Sequence, residues 1–214
     1  MNAQRLQPPF RNDQLGLFGG EELRIDDRFE SAVRRDLDAT SWVEIVRGWL
    51  SGGDTLLTRL VARIPFEQRQ RWMYTELLDE PRLTAAYPDI ADAPEPFLVD
   101  IAKALSSRYG VPYDGVWMNL YRDERDSTGW HADRFSCKRE LCIVPVLSLG
   151  APRRFLLQPR SGGKSIAVLP ASGDLVVMGG RCQRDWQHSV PKQAAAAGVR
   201  VSLNFQSSQQ MTPS

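Results

Sequence analysis

Two stretches in the first half of the chain carry apolar residues at the three- and four-residue spacing of a helix. One follows a Gly-Gly-Asp break at residues 52–54 and reaches Arg63. Its apolar stripe consists of Leu56, Leu57, Leu60 and Val61. The other runs from Pro96 to Tyr109 and is followed by Gly110, a residue type that commonly terminates helices. Both stretches are therefore predicted to be helical.

After Gly110 the pattern changes to short runs of strand-like residues separated by glycine turns. The predicted strands cover residues 116–121, 141–149, 154–157, 164–168, 174–178 and 199–205. In the first half, the apolar run at residues 41–50 predicts an edge strand, and residues 81–88 are predicted to form a loop. Many short strands broken by glycine turns are typical of a sandwich or jelly-roll. With two helices ahead of them, the predicted fold class is α+β.

A chain of 214 residues is long enough for one domain with a sizeable core. Residues 1–25 are polar and rich in Gln, Pro and Gly, and we expect them to form a tail or a loosely docked arm, with residues 26–214 as a single domain. No apolar run approaches the roughly 20 residues that span a bilayer, and the N-terminus lacks the apolar core of a secretory signal. We expect a cytoplasmic protein without membrane contact, and a monomer.

The cysteine content points to the same compartment. Cys137, Cys142 and Cys182 show no Cys-x-x-Cys spacing and cannot all pair with one another. This usage fits a reducing cytosol better than a disulfide framework, and it does not favour a structural zinc site. We therefore predict that Cys137 and Cys142 are small, buried apolar residues rather than a redox pair.

The charge of the chain is nearly balanced overall and uneven along its length. A net charge of +1 is not that of a typical nucleic-acid binder. Between residues 122 and 164, however, nine Lys or Arg stand against five Asp or Glu, whereas the first 50 residues contain nine acids and seven bases. A locally basic half suits a polyanionic substrate, although an ordinary solvated surface explains such a count almost as well.

Alternation along two predicted strands separates a polar face from an apolar face. The polar faces carry Trp117, Asn119 and Tyr121 on one strand and Arg200, Ser202, Asn204 and Gln206 on the other. A sheet with one face in solvent shows the same pattern. In the functional interpretation the polar faces line a jelly-roll cleft, where Arg200 pairs with a ligand carboxylate, helped by Asn119 and Tyr121.

The chain has only two histidines, and one of them lies two residues from an aspartate. His131 and Asp133 share one face of an extended segment, and His188 follows 57 residues after the first histidine. Two imidazoles and one carboxylate are the ligand set of the facial triad that holds non-haem Fe(II) in oxygenases. The spacing alone is weak evidence, because two unrelated histidines with hydrogen-bond partners would satisfy it.

Several sequence blocks strengthen this interpretation, because they resemble the AlkB-type Fe(II)/2-oxoglutarate dioxygenases that repair alkylated nucleic acid bases. The blocks are Asn119-x-Tyr121-Arg122-Asp123, Asp126-Ser127-x-x-Trp130-His131-x-Asp133, Ser148-Leu149-Gly150-Ala151-x-Arg153-x-Phe155, Gly173-Asp174-Leu175, Met178-Gly179-Gly180, Gln183-x-x-Trp186-x-His188-x-Val190-Pro191-Lys192 and Arg200-x-x-Leu203-x-Phe205. They cover about residues 113–206 in the family's order. The resemblance implies a double-stranded β-helix core over these residues, with N-terminal helices and a nucleotide-facing lid.

The same resemblance implies roles for individual residues. His131, Asp133 and His188 match the iron ligands, and Asn119, Tyr121 and Arg200 match the groups that hold the distal carboxylate of 2-oxoglutarate. With Fe(II), 2-oxoglutarate and O2, the implied reaction is oxidative dealkylation of N-alkylated bases in DNA or RNA. Its products are formaldehyde, succinate and CO2.

The implied substrate contacts are less specific. The segment from Pro81 to Tyr87 is similar to the one that faces the base in this family. We expect Arg82, Tyr87, Arg134 and Arg153 to contact the base or its phosphates, although an exposed arginine without a specific role is the simpler interpretation of Arg134. Tyr74 and Trp72 are further candidates for stacking on a base, with a core position favoured for Trp72.

Two departures from the family pattern keep other functions open. Gln206 stands where relatives have a second arginine beside the co-substrate, so 2-oxoglutarate either binds more weakly or is held by the Gln206 amide. Arg134 and Phe135 replace acidic residues that often follow the His-x-Asp motif. Alternatives are therefore a 2-oxoglutarate-dependent hydroxylase of a protein or small molecule, and a non-catalytic nucleic-acid binder on a degenerate scaffold.

Overall fold

The computed structural model describes residues 20–73 and 75–212, and these are mostly β-sheet with few helices. The strands are β1 Arg24–Ile25, β2 Ala32–Asp36, β3 Ser41–Val46, β4 Leu50–Ser51, β5 Glu67–Met73, β6 Glu76–Tyr87, β7 Gly115–Tyr121, β8 Thr128–His131, β9 Cys142–Gly150, β10 Phe155–Pro159, β11 Ile166–Val168, β12 Leu175–Gly180, β13 Trp186–Val190 and β14 Arg200–Gln206. The helices are α1 Gly53–Arg63, α2 Phe97–Tyr109, α3 Cys182–Asp185 and α4 Ser208–Met211, with a 3₁₀ turn at Ile90–Asp92.

The larger sheet has eight antiparallel strands in the order β2-β3-β12-β9-β14-β7-β6-β5. The predicted edge strand β3 therefore lies inside the sheet, between β2 and β12. The prediction was wrong because β2, Ala-Val-Arg-Arg-Asp, is too polar to show a strand pattern. Its side chains are mostly exposed, and the Arg34 guanidinium covers the Trp42 ring at 3.9 Å.

The smaller sheet has four antiparallel strands in the order β11-β10-β13-β8. An apolar cluster joins its residues to one face of the larger sheet. The cluster includes Val144, Val146, Phe155, Leu157, Val176 and Trp186. Two facing antiparallel sheets around such a core form a jelly-roll-type arrangement, and the polar face of β7 and β14 is turned towards the smaller sheet.

A second apolar cluster covers the other face of the larger sheet with helices. It contains Leu56 and Leu60 of α1 and Leu98, Ile101 and Leu105 of α2. These side chains pack against Val116, Met118, Leu120, Val201, Leu203 and Phe205, the apolar positions of β7 and β14. Helices α1 and α2 occupy the two segments predicted to be helical. The alternation in β7 and β14 thus separates a helix-covered face from a polar face.

Residues 81–88 do not form the predicted loop, because most of them belong to β6, which pairs with β5 in a long hairpin and with β7 in the sheet. Pro81 obscured this strand, since proline lacks a backbone donor and is confined to edges and bulges. The β5–β6 register shifts between Gln68 and Gln70, opposite this part of β6. Trp72, for which a core position was favoured, is 70% exposed on the hairpin. Tyr74 lies outside the described residues.

The expectation for the cysteines needs correction, and the N-terminal arm stays a prediction. Cys137 and Cys142 are buried as predicted, but they are joined in a disulfide, which the sequence could not show because the pairing depends on the path of the intervening loop. Of the predicted arm, residues 1–19 lie outside the described part, while Arg24–Ile25 pairs with Leu50–Ser51. Among the described residues, no helix combines the length and apolarity that a bilayer crossing requires.

Candidate active site

Three side chains, two from the smaller sheet and one from the loop after β8, converge on one point. His131 ends β8 and pairs in register with His188 on β13, and Asp133 follows two residues after β8. The Asp133 carboxylate oxygens lie 3.5 Å from His131 Nε2 and 3.5 Å from His188 Nε2. The ligand atoms of all three residues lie within 4.8 Å of one another. The predicted convergence is therefore present in the structure.

Neighbouring groups fix the orientation of the two histidine side chains. His131 Nδ1 lies 2.9 Å from the Gly129 carbonyl oxygen, which leaves Nε2 directed towards Asp133. The Phe155 ring stacks on His188 with a centroid separation of 5.3 Å. Supporting contacts of this kind hold metal-binding histidines in one tautomer and orientation. The arrangement is that of a prepared metal site.

The protonation states also suit a divalent cation. Burial alone would raise the pKa of Asp133, but His188 and His131 outweigh it and hold that pKa well below the usual value. Burial lowers the pKa of His188 to about 4. At neutral pH the site therefore presents a carboxylate and a neutral imidazole, the forms that bind metals. Asp133 Oδ2 is buried without a hydrogen-bond partner, and a cation would satisfy it.

Arg200 is a buried cation without an anionic partner in the described part of the chain. Its side chain is 1% exposed, and only Nη2 is engaged, donating to Ser148 Oγ at 3.0 Å. Nε and Nη1 are buried and unpaired. The guanidinium lies 5.2 Å from the centre of the Tyr121 ring, across the β7–β14 pair. Buried charges are normally paired, so a buried guanidinium with two N–H donors that lack an acceptor predicts a carboxylate ligand.

The other two predicted co-substrate residues lie on the same polar face. Asn119 is opposite Ser202 in the register, and its Oδ1 accepts hydrogen bonds from Arg82 Nε at 3.0 Å and Trp117 Nε1 at 3.1 Å. Gln206 is at the far end of β14, where its Nε2 donates to Ser136 Oγ at 2.6 Å. Ser136 in turn belongs to the loop that carries Asp133. The Gln206 amide therefore already has a hydrogen-bond partner in the protein, unlike Nε and Nη1 of Arg200.

The four predicted substrate residues separate into different surroundings. Arg82 lies on the polar face beside Asn119. Burial of His131 and the positive charge of Arg82 both act to lower the pKa of His131, but the Asp133 carboxylate outweighs them, so that pKa is raised. Arg134 is exposed on the Asp133 loop. Tyr87 instead packs with the helix-side cluster, because it shares the apolar face of β6 with Leu83.

Arg153 has surroundings of a different kind, since it is fully buried and its guanidinium donates to three backbone carbonyls. The acceptors are Asp123 O at 2.5 Å, Asp126 O at 2.6 Å and Pro191 O at 3.1 Å. These bonds join the loop before β8 to the segment after β13. Such an environment suits a structural role rather than the expected contact with a base or phosphate.

Two residues with a place in the site had no assigned role in the sequence. Gln183 on α3 accepts a hydrogen bond from the Asp133 backbone N–H at 2.7 Å. Thr128 Oγ1 is 2.8 Å from the Tyr121 hydroxyl and buries it. Gln183 stands in one family-like block and Thr128 at an unspecified position of another, but a block shows only that a residue type recurs. The contact itself depends on the fold.

Comparisons with known proteins agree with this geometry. The 2OG-Fe(II) oxygenase superfamily matches residues 67–206. Alpha-ketoglutarate-dependent dioxygenase alkB homolog 3 of Rattus norvegicus is 30% identical over an alignment 220 residues long, which covers 92% of this chain and 74% of the rat protein. DNA oxidative demethylase ALKBH2 of Arabidopsis thaliana is 32% identical over an alignment 119 residues long, which covers 45% of this chain and 38% of that protein.

The solved structure of OsALKBH1 has the same fold. It superposes with a TM-score of 0.59 at 16% identity, covering 82% of this chain and 100% of that one. The superfamily match spans more than half of the chain, and the three converged side chains lie inside it. This chain belongs to the 2OG-Fe(II) oxygenase superfamily, as an AlkB-like dioxygenase that uses Fe(II), 2-oxoglutarate and O2.

Proposed function

We propose that this enzyme removes N-linked alkyl groups from bases in DNA or RNA, releasing formaldehyde, succinate and CO2. The observation that carries the proposal is the pairing of a metal-competent triad with a buried arginine whose donors are idle. The triad accounts for iron and the arginine for a dicarboxylate co-substrate. The nucleic-acid substrate is supported by the relative whose name is DNA oxidative demethylase ALKBH2.

In this proposal His131, Asp133 and His188 hold the iron. When bound with 2-oxoglutarate and O2, iron supplies the oxidising power that hydroxylates the alkyl carbon attached to the base nitrogen. The protein contributes the orientation of the three ligands and a negative charge on Asp133. The hydroxylated alkyl group then leaves as formaldehyde and the base is restored.

Arg200 is the proposed anchor of the co-substrate. Its unpaired donors would bind the distal carboxylate through charge-assisted hydrogen bonds, while Ser148 Oγ keeps Nη2 in place. Tyr121 packs beside the guanidinium, and Asn119 offers amide groups on the same face. The anchor fixes the length of acceptable acids, because the other end of the molecule must reach the metal.

The β5–β6 hairpin is the proposed nucleotide-facing lid. Its stem joins the site through Arg82, and Pro81 O accepts a hydrogen bond from Ser127 N at 2.7 Å. Among the described side chains of the hairpin, the exposed large apolar ones are Trp72, Leu77 and Leu78. A base must leave its stack to reach the metal, and exposed apolar side chains can fill the space it vacates. The site is open to solvent at His131, whose side chain is 39% exposed. The exposed residues Arg134 and Phe135 lie next to it, on the loop that carries Asp133.

The direct test is demethylation of oligonucleotides containing 1-methyladenine or 3-methylcytosine, with iron and 2-oxoglutarate each omitted in turn. We expect formaldehyde and succinate in a one-to-one ratio, and no formaldehyde when either cofactor is missing. Asp133→Ala should abolish turnover, whereas Asp123→Ala, which removes an acid paired with Arg125 in the β7–β8 loop, should retain it.

Two outcomes would contradict the proposal. If methylated oligonucleotides give no formaldehyde while peptides or metabolites stimulate succinate formation, the enzyme is a hydroxylase of another substrate class. If succinate never forms with Fe(II) and 2-oxoglutarate, the chain is not a working oxygenase. The two results are distinguishable because succinate reports the co-substrate and formaldehyde reports the alkylated base.

A further inference from the structure

Gln183 lies behind the metal site and contacts it through the protein backbone. The chain leaves β12 at Gly179 and Gly180 and enters the short helix α3, which carries Gln183. Both glycines are required for this turn, since a Cβ on Gly179 would lie 2.0 Å from the Trp42 ring and Gly180 has φ +68°. The Gln183 side chain is 1% exposed and directed towards the Asp133 loop.

The amide of Gln183 is held in one orientation by its two contacts. Its Oε1 accepts a hydrogen bond from the Asp133 backbone N–H at 2.7 Å, and its Nε2 lies 3.5 Å from Met178 Sδ. A backbone N–H can only donate, so the carbonyl oxygen must face Asp133. The contact fixes the main chain at the metal ligand and leaves the carboxylate free.

The Asp133 carboxylate itself has weak local support. Oδ2 is buried and has no hydrogen-bond partner, and the two imidazoles lie at 3.5 Å, beyond good hydrogen-bond distance. Further along the loop, Ser136 N donates to Asp133 O at 3.0 Å, and Ser136 is bonded to Gln206. On the N-terminal side of this short segment, the hydrogen bond to the Gln183 amide fixes the position of the Asp133 backbone nitrogen.

We propose that Gln183 is a positioning residue, which places Asp133 for metal binding before the metal arrives. Its effect passes through the backbone of Asp133, so it acts on metal affinity and leaves the Arg200 anchor unchanged. The proposal requires only the metal site and is independent of the identity of the substrate. Failure of the oligonucleotide assay would therefore not affect it.

The test compares Gln183→Met with Gln183→Glu in the 214-residue chain. Methionine has a similar volume and lacks the acceptor, whereas glutamate retains an oxygen at the same reach. We expect Gln183→Met to bind Mn(II) in the absence of 2-oxoglutarate about 10- to 100-fold more weakly than the wild type, the usual effect of losing a group that supports a metal ligand. Gln183→Glu should stay within about threefold. With saturating metal, the half-saturating 2-oxoglutarate concentration should be unchanged in both.

The matched control is Gln187→Met, next to His188 on β13 but on the other side of the strand from it. Its Mn(II) affinity should equal that of the wild type. Hydrogen exchange of the Asp133 amide in the metal-free wild type provides a readout that needs no variant to fold, and we expect strong protection. Unchanged Mn(II) affinity in Gln183→Met, equal losses in Gln183→Met and Gln183→Glu, or rapid exchange of the Asp133 amide would each overturn the proposal.

Discussion

Replacement of Arg200 by methionine should stabilise the ligand-free protein while abolishing its response to 2-oxoglutarate. Burial lowers the pKa of the Arg200 guanidinium, and among the described residues its Nε and Nη1 have no hydrogen-bond partner. In the ligand-free protein this charge is a source of instability. Methionine fills much of the same space without a charge, so the two effects have opposite signs.

The magnitudes follow from the contacts. Each buried unpaired donor costs about 1–3 kcal/mol, and Arg200 has two, Nε and Nη1. At the middle of this range the two donors cost about 4 kcal/mol. The lost Ser148 hydrogen bond and the imperfect packing of methionine each offset about 1 kcal/mol of this, so the ligand-free variant should gain about 2 kcal/mol. For a chain of this size that gain raises Tm by about 4–8 °C. Loss of a buried charge pair costs about 3–5 kcal/mol, which weakens 2-oxoglutarate binding by about 10²- to 10⁴-fold.

The assay is thermal unfolding with Mn(II), with and without 2-oxoglutarate, and Arg153→Met is the matched control. Both arginines are buried, but Arg153 donates to three backbone carbonyls. Its replacement should lower Tm by about 6 °C or more, because about 3 kcal/mol of hydrogen bonding is lost. At a ligand concentration of about 100 Kd, 2-oxoglutarate should raise the wild-type Tm by about 5–10 °C and leave Arg200→Met unchanged. A lower ligand-free Tm in Arg200→Met, or a preserved response to 2-oxoglutarate, would refute the reasoning.

Three other changes test separate parts of the site. Gln206→Arg adds a cation to the polar face of β14 and should lower the half-saturating 2-oxoglutarate concentration by about 3- to 10-fold; an unchanged or higher value in the succinate assay counts against this placement. Asp38 accepts hydrogen bonds from Trp186 Nε1 and nearby backbone N–H groups, which outweigh burial and lower its pKa from 3.8 to about 2. The stability that the Asp38 carboxylate contributes is complete above about pH 4 and is lost as pH falls towards 2. In urea titrations the free energy of unfolding of Asp38→Asn should therefore be about 1 kcal/mol below that of the wild type at pH 7 and equal to it near pH 2. A difference that is constant with pH would contradict this. Trp72→Ala should weaken binding of methylated oligonucleotides by about 5- to 100-fold without a change in Tm, because the side chain is exposed and stacking on a base contributes about 1–3 kcal/mol; unchanged binding in fluorescence anisotropy would exclude the hairpin as the lid.

The sequence is informative about the site because the relevant signals are local. Alternation places His131 and Asp133 on one face, and it places Arg200 on the polar face of β14. Side chains alternate along a strand in every type of sheet, so these assignments do not depend on how the sheets are arranged. The structure pairs Arg200 with Tyr121 and Asn119 with Ser202, which brings together residues that alternation only assigns to faces. The register of β7 and β14 therefore places these groups on one face of the sheet, while the cleft that they are expected to line stays a prediction.

What the sequence does not show depends on distant contacts. The β5–β6 hairpin lies at the edge of the sheet, where neither face is fully buried, so Gln, Glu and Arg replace the alternation that marks a strand. Tyr87 looks suitable for a base, but its place in the β6 alternation puts it on the helix side with Leu83. The Cys137–Cys142 disulfide and the Gln183 contact depend on loop paths, which no periodic pattern encodes.

A crystal structure with Mn(II) and 2-oxoglutarate in the absence of oxygen tests the central claim most directly. We predict the metal on His131 Nε2, His188 Nε2 and an Asp133 carboxylate oxygen, at about 2.0–2.3 Å. The distal carboxylate of 2-oxoglutarate should lie about 2.7–3.0 Å from at least one of the Arg200 nitrogens that are unpaired in the ligand-free protein, Nε or Nη1. A metal bound elsewhere, or an Arg200 guanidinium that remains unpaired with 2-oxoglutarate bound at another place, would contradict the account.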